Sequence, residues 1–293
     1  MKKYNILVTG SKGQLGNELK KVFNNKPAFN VTFTDVDDLD ICNEAAVFEF
    51  VQKNCINLTI NAAAYTAVDR AEQEKELAFK INEKGSFILA KVSQQNNCPL
   101  IHVSTDYVFD GKNHRPYIET DKTEPVSMYG KSKLAGEQVI EKTSQNYIII
   151  RTSWLYSSFG NNFVKTMLRL SKEKEEIGVV YDQVGSPTYA YNLANAIQEI
   201  TVQYFKDKSS FVPGIYHYSD EGVCSWYDLA YEIMQIENAN TTIKAIESKN
   251  FPTPATRPFY SVLGKEKIKN TFNISVPNWK ESLKICLQEL NNK

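Results

Sequence analysis

Three glycines with the spacing Gly10-x-x-Gly13-x-x-Gly16 directly follow a short apolar segment near the start of the chain. Residues 4–9 have the character of a buried strand, and the apolar spacing after Gly13 is typical of a helix. A glycine turn at this place lets the backbone approach a pyrophosphate, which the amino end of the helix then stabilises. The pattern predicts a dinucleotide-binding unit, and a strand–helix turn without a ligand is the alternative.

Strand-like and helix-like segments alternate through the first half of the chain. The predicted strands are residues 4–9, 31–35, 58–61, 100–104 and 147–151. The helices predicted after the first one are residues 45–53, 72–95 and 132–142. Such alternation is typical of a parallel sheet with right-handed crossovers, and wholly apolar strands fit a sheet covered on both faces. We therefore expect an α/β fold with a Rossmann-type doubly wound parallel sheet.

The pattern loosens after residue 154. Helices are predicted at residues 162–172, 192–205 and 226–236, a strand at 179–180, and a return to the main sheet at 215–218. We expect residues 1–155 to form an NAD(P)-binding domain that parts of 190–220 complete. Residues 156–293 are expected to form mainly a smaller substrate-binding region.

Charge and composition narrow the range of partners. Lys plus Arg and Asp plus Glu both number 34, so no positive field attracts nucleic acid or an anionic membrane. No apolar run reaches the ~18 residues of a membrane-spanning helix. The five cysteines include no C-x-x-C pair, and the three histidines lack metal-ligand spacing. A cytoplasmic protein without a metal is expected.

Two signals for the choice of coenzyme conflict. Asp35 ends the second predicted strand, where an acid binds the adenosine ribose hydroxyls and favours NADH. Lys12, within the glycine loop, could instead attract the 2′-phosphate of NADPH, so both coenzymes stay open. A solvated turn residue is the alternative for Asp35, and close helix packing is the alternative for the small residues 62–64. The predicted cofactor-binding residues are Gly10, Lys12, Gly13, Gln14, Leu15, Gly16, Asp35, Asp40, Ala62, Ala63, Ala64, Tyr129 and Lys133.

A Tyr-x-x-x-Lys motif at Tyr129 and Lys133 follows the hydroxyl-bearing end of the fourth predicted strand. The spacing alone says little, because Tyr204 and Lys208 repeat it. On a helix, residues i and i+4 share a face, so Lys133 is expected to lower the pKa of Tyr129 or to hold the nicotinamide ribose. Tyr129 would then donate a proton to a carbonyl that Thr105 polarises. A surface tyrosine beside a lysine is the alternative.

These motifs resemble those of the extended short-chain dehydrogenases/reductases, and more closely those of the dTDP-4-dehydrorhamnose reductase family. The matching segments run in family order through nearly the whole chain: residues 61–69 (NAAAYTAVD), 104–111 (STDYVFDG), 128–137 (MYGKSKLAGE), 151–154 (RTSW), 160–163 (GNNF) and 252–258 (PTPATRP).

The resemblance implies NAD(P)H-dependent reduction of the C4 keto group of dTDP-4-dehydro-L-rhamnose to dTDP-L-rhamnose, in polysaccharide biosynthesis. It implies the catalytic residues Tyr129, Lys133 and Thr105. It implies the substrate-binding residues Thr105, Asp106, Trp154, Asn162 and Arg257. A core position, a helix cap and a turn salt bridge are the alternatives for Trp154, Asn162 and Arg257 respectively.

Some relatives dimerise through Mg²⁺ held by a glutamate near the glycine loop, and Glu18 matches that position. An exposed helix acid is the preferred interpretation of Glu18, so no metal is claimed and a homodimer stays open. Two other functions remain: a different nucleotide-sugar reductase or epimerase, and a non-catalytic regulatory subunit of related fold. The intact Tyr129, Lys133 and Thr105 argue against the regulatory subunit.

Overall fold

A parallel sheet of six strands forms the centre of the structure, a computed structural model that describes residues 3–24 and 26–292. The strands of this sheet and of three small two-stranded sheets are, in chain order, β1 (Tyr4–Thr9), β2 (Phe29–Thr34), β3 (Leu58–Asn61), β4 (Leu100–Thr105), β5 (Tyr147–Thr152), β6 (Leu155–Tyr156), β7 (Glu176–Val180), β8 (Val184–Gly185), β9 (Thr188–Tyr189), β10 (Gly214–His217), β11 (Cys224–Ser225) and β12 (Thr242–Ile246). The central order is β10-β5-β4-β3-β1-β2, with every neighbouring pair parallel. The predicted α/β Rossmann-type sheet is confirmed.

Helices cover both faces of this sheet and build the second region. They are α1 (Gln14–Asn24), α2 (Glu44–Lys53), α3 (Val68–Ala71), α4 (Lys75–Phe79), α5 (Ser86–Gln95), α6 (Met128–Thr143), α7 (Phe163–Leu170), α8 (Ala190–Lys206), α9 (Trp226–Ile236), α10 (Glu266–Phe272) and α11 (Trp279–Asn291). A π-helical turn joins α4 to α5 at Lys80–Gly85, and short 3₁₀ turns lie at Asp106–Val108, Lys208–Ser210 and Ser248–Asn250.

The prediction of a single helix over residues 72–95 is wrong, because the π turn separates α4 from α5. Asn82 lies in that turn, and its side chain accepts from the Tyr65 amide at 2.8 Å. It also donates to the Tyr65 carbonyl at 3.1 Å and to Ser132 Oγ at 2.9 Å. These tertiary hydrogen bonds hold the widened turn against α6. The spacing of apolar residues along a helix cannot predict them, because the partners are distant in the sequence.

Three large apolar clusters form the core. One packs α1, α8 and α10 on one face of the sheet, and another packs α2, α5 and α6 on the opposite face. The third lies in the second region, among α7, α9, α11, β7 and β12. Because α8 and β10 come from beyond residue 155, the first core draws on both halves of the chain. The division at residue 155 stays a prediction.

Candidate active site

A cleft of about 800 Å³ opens above the carboxyl ends of β1, β4 and β5, the edge where open parallel sheets bind ligands. Thr9, Thr105 and Thr152 end these strands and line the cleft. The opposite wall includes Trp154 and Asn161, beyond the last of these strands. The cleft is therefore long enough to bring the glycine loop and the Tyr-x-x-x-Lys motif into one site.

The glycine loop has the shape that a dinucleotide requires. Gly10 has φ of 70°, and a Cβ there would lie 2.5 Å from the Ala63 amide nitrogen. A Cβ on Gly16 would lie 2.3 Å from the Gly10 carbonyl oxygen, so Gly16 packs the helix against the loop. A Cβ on Gly13 would meet only that same oxygen, at 3.3 Å, which leaves the loop open where α1 begins. The residues fit a pyrophosphate at the amino end of α1.

The carboxylate of Asp35 forms its hydrogen bond with the backbone amide of Lys12 and not with the ammonium group. Asp35 Oδ2 accepts from the Lys12 amide and Oδ1 from the Val36 amide, both at 2.9 Å. The ammonium group of Lys12 instead pairs with Asp37, whose hydrogen bond raises the pKa of Lys12. The carboxylate of Asp35 is thus oriented in the cleft wall by the same loop that it is expected to serve.

The other predicted cofactor contacts can be placed residue by residue. Gln14, Leu15 and Asp40 line the cleft, as do residues 62–64 beyond β3. Of the predicted set, Gly16 lies behind the loop, in the packing position already described. The roles of these residues stay predictions.

Tyr129 and Lys133 lie one turn apart on α6. The helix begins at Met128, four residues before the predicted start, because Ser127 caps it by accepting from the Gly130 amide at 3.1 Å. Both side chains line the cleft, and the ring of Tyr129 packs edge-on against Tyr107 with centroids 5.5 Å apart. The earlier start gives the motif the helical geometry that its i,i+4 spacing requires.

The second copy of the motif has a different environment. Tyr204 is buried on α8, where its ring packs against Phe205 and Phe211. Lys208 lies beyond the end of that helix, in a 3₁₀ turn. The fold therefore separates the two copies, one in the cleft and one in the core.

The acid–base state of the motif differs from the expectation. Burial raises the pKa of Tyr129 to about 12; a hydrogen bond with Thr105 opposes the shift, and the charge of Asp106 adds to it. Burial also lowers the pKa of Lys133 to about 8, against the opposing charge of Glu137. The expectation that Lys133 lowers the pKa of Tyr129 is therefore wrong for the free protein. Lys133 Nζ donates to the Val103 carbonyl at 2.7 Å.

Thr105 and Asp106 form the wall beside Tyr129. The hydroxyl of Thr105 donates to Asp106 Oδ1 at 2.9 Å and accepts from the Tyr107 amide at 3.3 Å. Asp106 is 2% exposed, and burial raises its pKa to about 7. A carboxyl group that titrates near neutrality thus adjoins the candidate catalytic hydroxyls.

Trp154 and Asn162 occupy different positions relative to the cleft. Trp154 lines it with a backbone φ of 47°, and its ring stacks on Trp226 at a centroid distance of 3.6 Å. Asn162 caps α7 by accepting from the Lys165 amide at 3.1 Å, and it donates to Gln14 Oε1 at 2.9 Å. The cleft wall contains Asn161 instead. The capping alternative thus describes what the side chain of Asn162 does here.

Arg257 lies outside the cleft lining and forms a bidentate ion pair with Asp69. Its Nη2 lies 2.7 Å from Oδ2 and its Nη1 lies 3.0 Å from Oδ1. Asp69 also accepts from the Ala255 amide at 3.1 Å. The salt bridge therefore fastens the loop of residues 252–258 to the start of α3.

Glu18 differs from its preferred interpretation as an exposed helix acid, because it is 0% exposed. Its Oε1 accepts from Ser157 Oγ at 2.6 Å, and its Oε2 lies 3.1 Å from Lys21 Nζ. Packing of α1 against the segment after β6 buries this acid beside a cation. Within residues 3–24 and 26–292, no group of three or more acidic, cysteine or histidine residues is placed to hold a metal ion.

His102 belongs to the site although the sequence pattern did not single it out. It is fully buried on β4, and its Nε2 lies 3.2 Å from Lys133 Nζ. Its position two residues before Ser104 places it beneath the strand end, but an apolar strand with one histidine carries no catalytic signal. Only the fold brings it to Lys133.

Comparison with known proteins identifies the family to which this chain is similar. The model of the family described as RmlD substrate binding domain matches residues 4–292. A dTDP-4-dehydrorhamnose reductase of Aggregatibacter actinomycetemcomitans is 41% identical over 286 residues, which cover 95% of this chain and 97% of the relative.

Two solved structures have the same fold over almost the entire chain. A dTDP-4-dehydrorhamnose reductase of Clostridium acetobutylicum is 41% identical with a TM-score of 0.91, and the match covers 98% of this chain and 99% of the other. The enzyme of that name from Bacillus anthracis, solved in complex with NADP, is 39% identical with a TM-score of 0.91 and the same coverage.

Proposed function

The chain belongs to the RmlD substrate binding domain family, and we propose that it uses NADPH or NADH to reduce the C4 keto group of dTDP-4-dehydro-L-rhamnose. The product is dTDP-L-rhamnose. The observation that carries this proposal is the convergence of Tyr129, Lys133 and Thr105 in a cleft that also contains the glycine loop. The NADP bound to the Bacillus anthracis relative supports a nicotinamide coenzyme in this cleft.

Three residues of the cleft have separate roles in the proposed reduction. A bound nicotinamide coenzyme would supply the hydride that adds to C4 of the sugar. Tyr129 donates the proton to the carbonyl oxygen, and its high pKa keeps it protonated, as a donor must be, at neutral pH. Thr105, within reach of Tyr129, orients the same oxygen. Lys133 binds the nicotinamide ribose and, when charged, stabilises the tyrosinate that remains.

The substrate is expected to lie between this centre and the second region. Trp154 lines the cleft wall, and Asp106 places a carboxyl beside Thr105. Arg257 is proposed to reach the diphosphate by giving up or sharing its bonds to Asp69. A cytoplasmic location and a homodimer are part of the proposal. Across residues 3–24 and 26–292, no helix combines the length and apolar character needed to cross a membrane.

The proposal is tested by following NAD(P)H oxidation with a panel of 4-keto nucleotide sugars. We expect dTDP-4-dehydro-L-rhamnose to be reduced with the highest kcat/KM, and UDP- and GDP-linked 4-keto sugars to react more slowly. Faster reduction of another nucleotide sugar would assign the chain to a sibling reductase. Coenzyme binding without turnover of any sugar would favour a regulatory subunit.

A further inference from the structure

A chain of buried hydrogen bonds crosses the sheet from β1 to α6. Thr9 Oγ1 donates to Asn61 Oδ1 at 2.7 Å, and Asn61 Nδ2 lies 2.9 Å from His102 Nδ1. His102 Nε2 in turn lies 3.2 Å from Lys133 Nζ. All four residues are at most 2% exposed, so they must satisfy one another's polar atoms.

The backbone fixes the orientation of the Asn61 carboxamide. The Ala63 amide donates to Asn61 Oδ1 at 3.1 Å, and a backbone N–H can only donate. Rotating the carboxamide by half a turn would place its NH₂ group against that N–H. Asn61 therefore presents its NH₂ group, a donor, to His102.

The orientation of Asn61 determines the tautomer of His102. Since Nδ1 faces a donor, it must accept, and the proton of the neutral ring lies on Nε2. An imidazolium would place an N–H against the Asn61 NH₂ group. Burial likewise holds the pKa of His102 well below its ordinary value.

This tautomer constrains Lys133. The Nε2–H of His102 points at Lys133 Nζ, and an ammonium group has three donors but no lone pair to accept with. A neutral amine can accept from His102 and still donate to the Val103 carbonyl. Burial favours the same uncharged form.

The other titratable groups around Lys133 do not cancel this preference. Glu137, on the same helix, favours the charged form, but its carboxylate already accepts from Ser104 and is paired with Arg151 on β5. Tyr129, also on α6, is neutral, and Asp106 beyond β4 acts on Tyr129.

We propose that His102 is a positioning residue that favours the uncharged form of Lys133 in the free protein, so that coenzyme binding is coupled to proton uptake at Lys133. The step forms one N–H bond with a proton from solvent, and it needs no other reactant. It rests on the proposed function only in naming the ligand. The ribose hydroxyls of a nicotinamide coenzyme can accept from an ammonium group, and its pyrophosphate charge favours the cation.

The first test uses the free protein. The chain has three histidines, so ¹⁵N-histidine NMR spectra with His114→Gln and His217→Gln variants can assign the His102 signals. We expect a neutral ring with a protonated Nε2 and a bare Nδ1. A protonated Nδ1 would overturn the proposal. This result does not depend on substrate or coenzyme, so it separates the proposal from the proposed function.

The second test measures proton uptake during NADPH binding, by calorimetry in two buffers of different ionisation enthalpy. At about pH 9, above the lowered pKa of Lys133, we expect close to one proton taken up per site. In His102→Gln the amide can turn its oxygen to Lys133 and accept from the ammonium group, so the uptake should be clearly reduced, although burial still lowers the pKa of Lys133. The exposed His114 provides the matched control, and His114→Gln should retain the full uptake.

Lys133→Met identifies the acceptor, because it should also abolish the uptake. Absence of uptake in the parent protein, or an unchanged uptake in His102→Gln, would overturn the coupling. If NADPH does not bind at all, the proposed function fails, and the tautomer measurement still decides the role of His102. If His102→Gln does not fold, the parent spectra and the Lys133→Met titration decide it.

Discussion

Arg257 and Asp69 stand 188 positions apart in the chain, and their side chains meet in two parallel hydrogen bonds of 3.0 and 2.7 Å. A planar guanidinium paired in this way can equally hold a diphosphate. The pair therefore separates two roles for Arg257, a fixed brace for the loop of residues 252–258 and a ligand for the substrate.

Replacing each partner in turn distinguishes the two roles. If Arg257 binds the diphosphate, Arg257→Ala should weaken dTDP binding by about tenfold, or about 1.4 kcal/mol, whereas Asp69→Asn should leave it unchanged or stronger. Thermal melts in the presence of NADPH report this, because a ligand at a hundredfold excess over Kd raises stability by about 2.7 kcal/mol. Equal weakening by both substitutions would make Arg257 a brace alone.

Removing the hydroxyl of Tyr129 tests the proton donor. Tyr129→Phe keeps the ring that packs against Tyr107, so we expect turnover to fall by about two to four orders of magnitude with little change in coenzyme affinity. Steady-state kinetics and coenzyme titration measure the two effects. Tyr204→Phe is the control and should retain full turnover, because Tyr204 lies in the core. Activity within a few fold of the parent for Tyr129→Phe would refute its role.

Coenzyme choice should depend on the charges of the glycine loop. Asp35→Asn keeps an acceptor for the Lys12 amide but removes a charge that repels a 2′-phosphate, so preference should move toward NADPH by about tenfold. Lys12→Met should move preference toward NADH. Asp37→Asn frees the Lys12 ammonium group and should favour NADPH. The ratios of kcat/KM for the two coenzymes decide, and an opposite shift for Asp35→Asn would place the ribose on another residue.

The pH dependence of reduction should reflect Asp106. Its pKa is raised to about 7, so the carboxyl is neutral below that pH and charged above it. The charged form raises the pKa of Tyr129 and makes proton donation harder, so kcat should fall a few fold as pH rises through about 7. Asp106→Asn keeps an acceptor for Thr105 and should remove this inflection. An inflection that persists in the variant would belong to another group.

The sequence predicts the sheet and the catalytic motif because both depend on local patterns. Apolar strands, a glycine turn and an i,i+4 pair are encoded within a few residues, and the structure places Tyr129 and Lys133 together as the motif requires. Local patterns could not predict the π turn at residues 80–85 or the burial of Glu18, because residues distant in the sequence determine both. The raised pKa of Tyr129 could not be predicted either, because it results from burial of the side chain in the folded protein.

Completion of the nucleotide-binding sheet by β10 has a consequence for synthesis on the ribosome. Until residue 217 has emerged, β5 is an unpaired edge strand, and the apolar face of α1 lacks its partner helix α8. Exposed strand edges invite pairing with other chains. The nascent chain should therefore stay vulnerable to aggregation through roughly its first three quarters. The motifs suggest an independent amino-terminal domain, but that domain can complete its fold only after β10 and α8 have been synthesised.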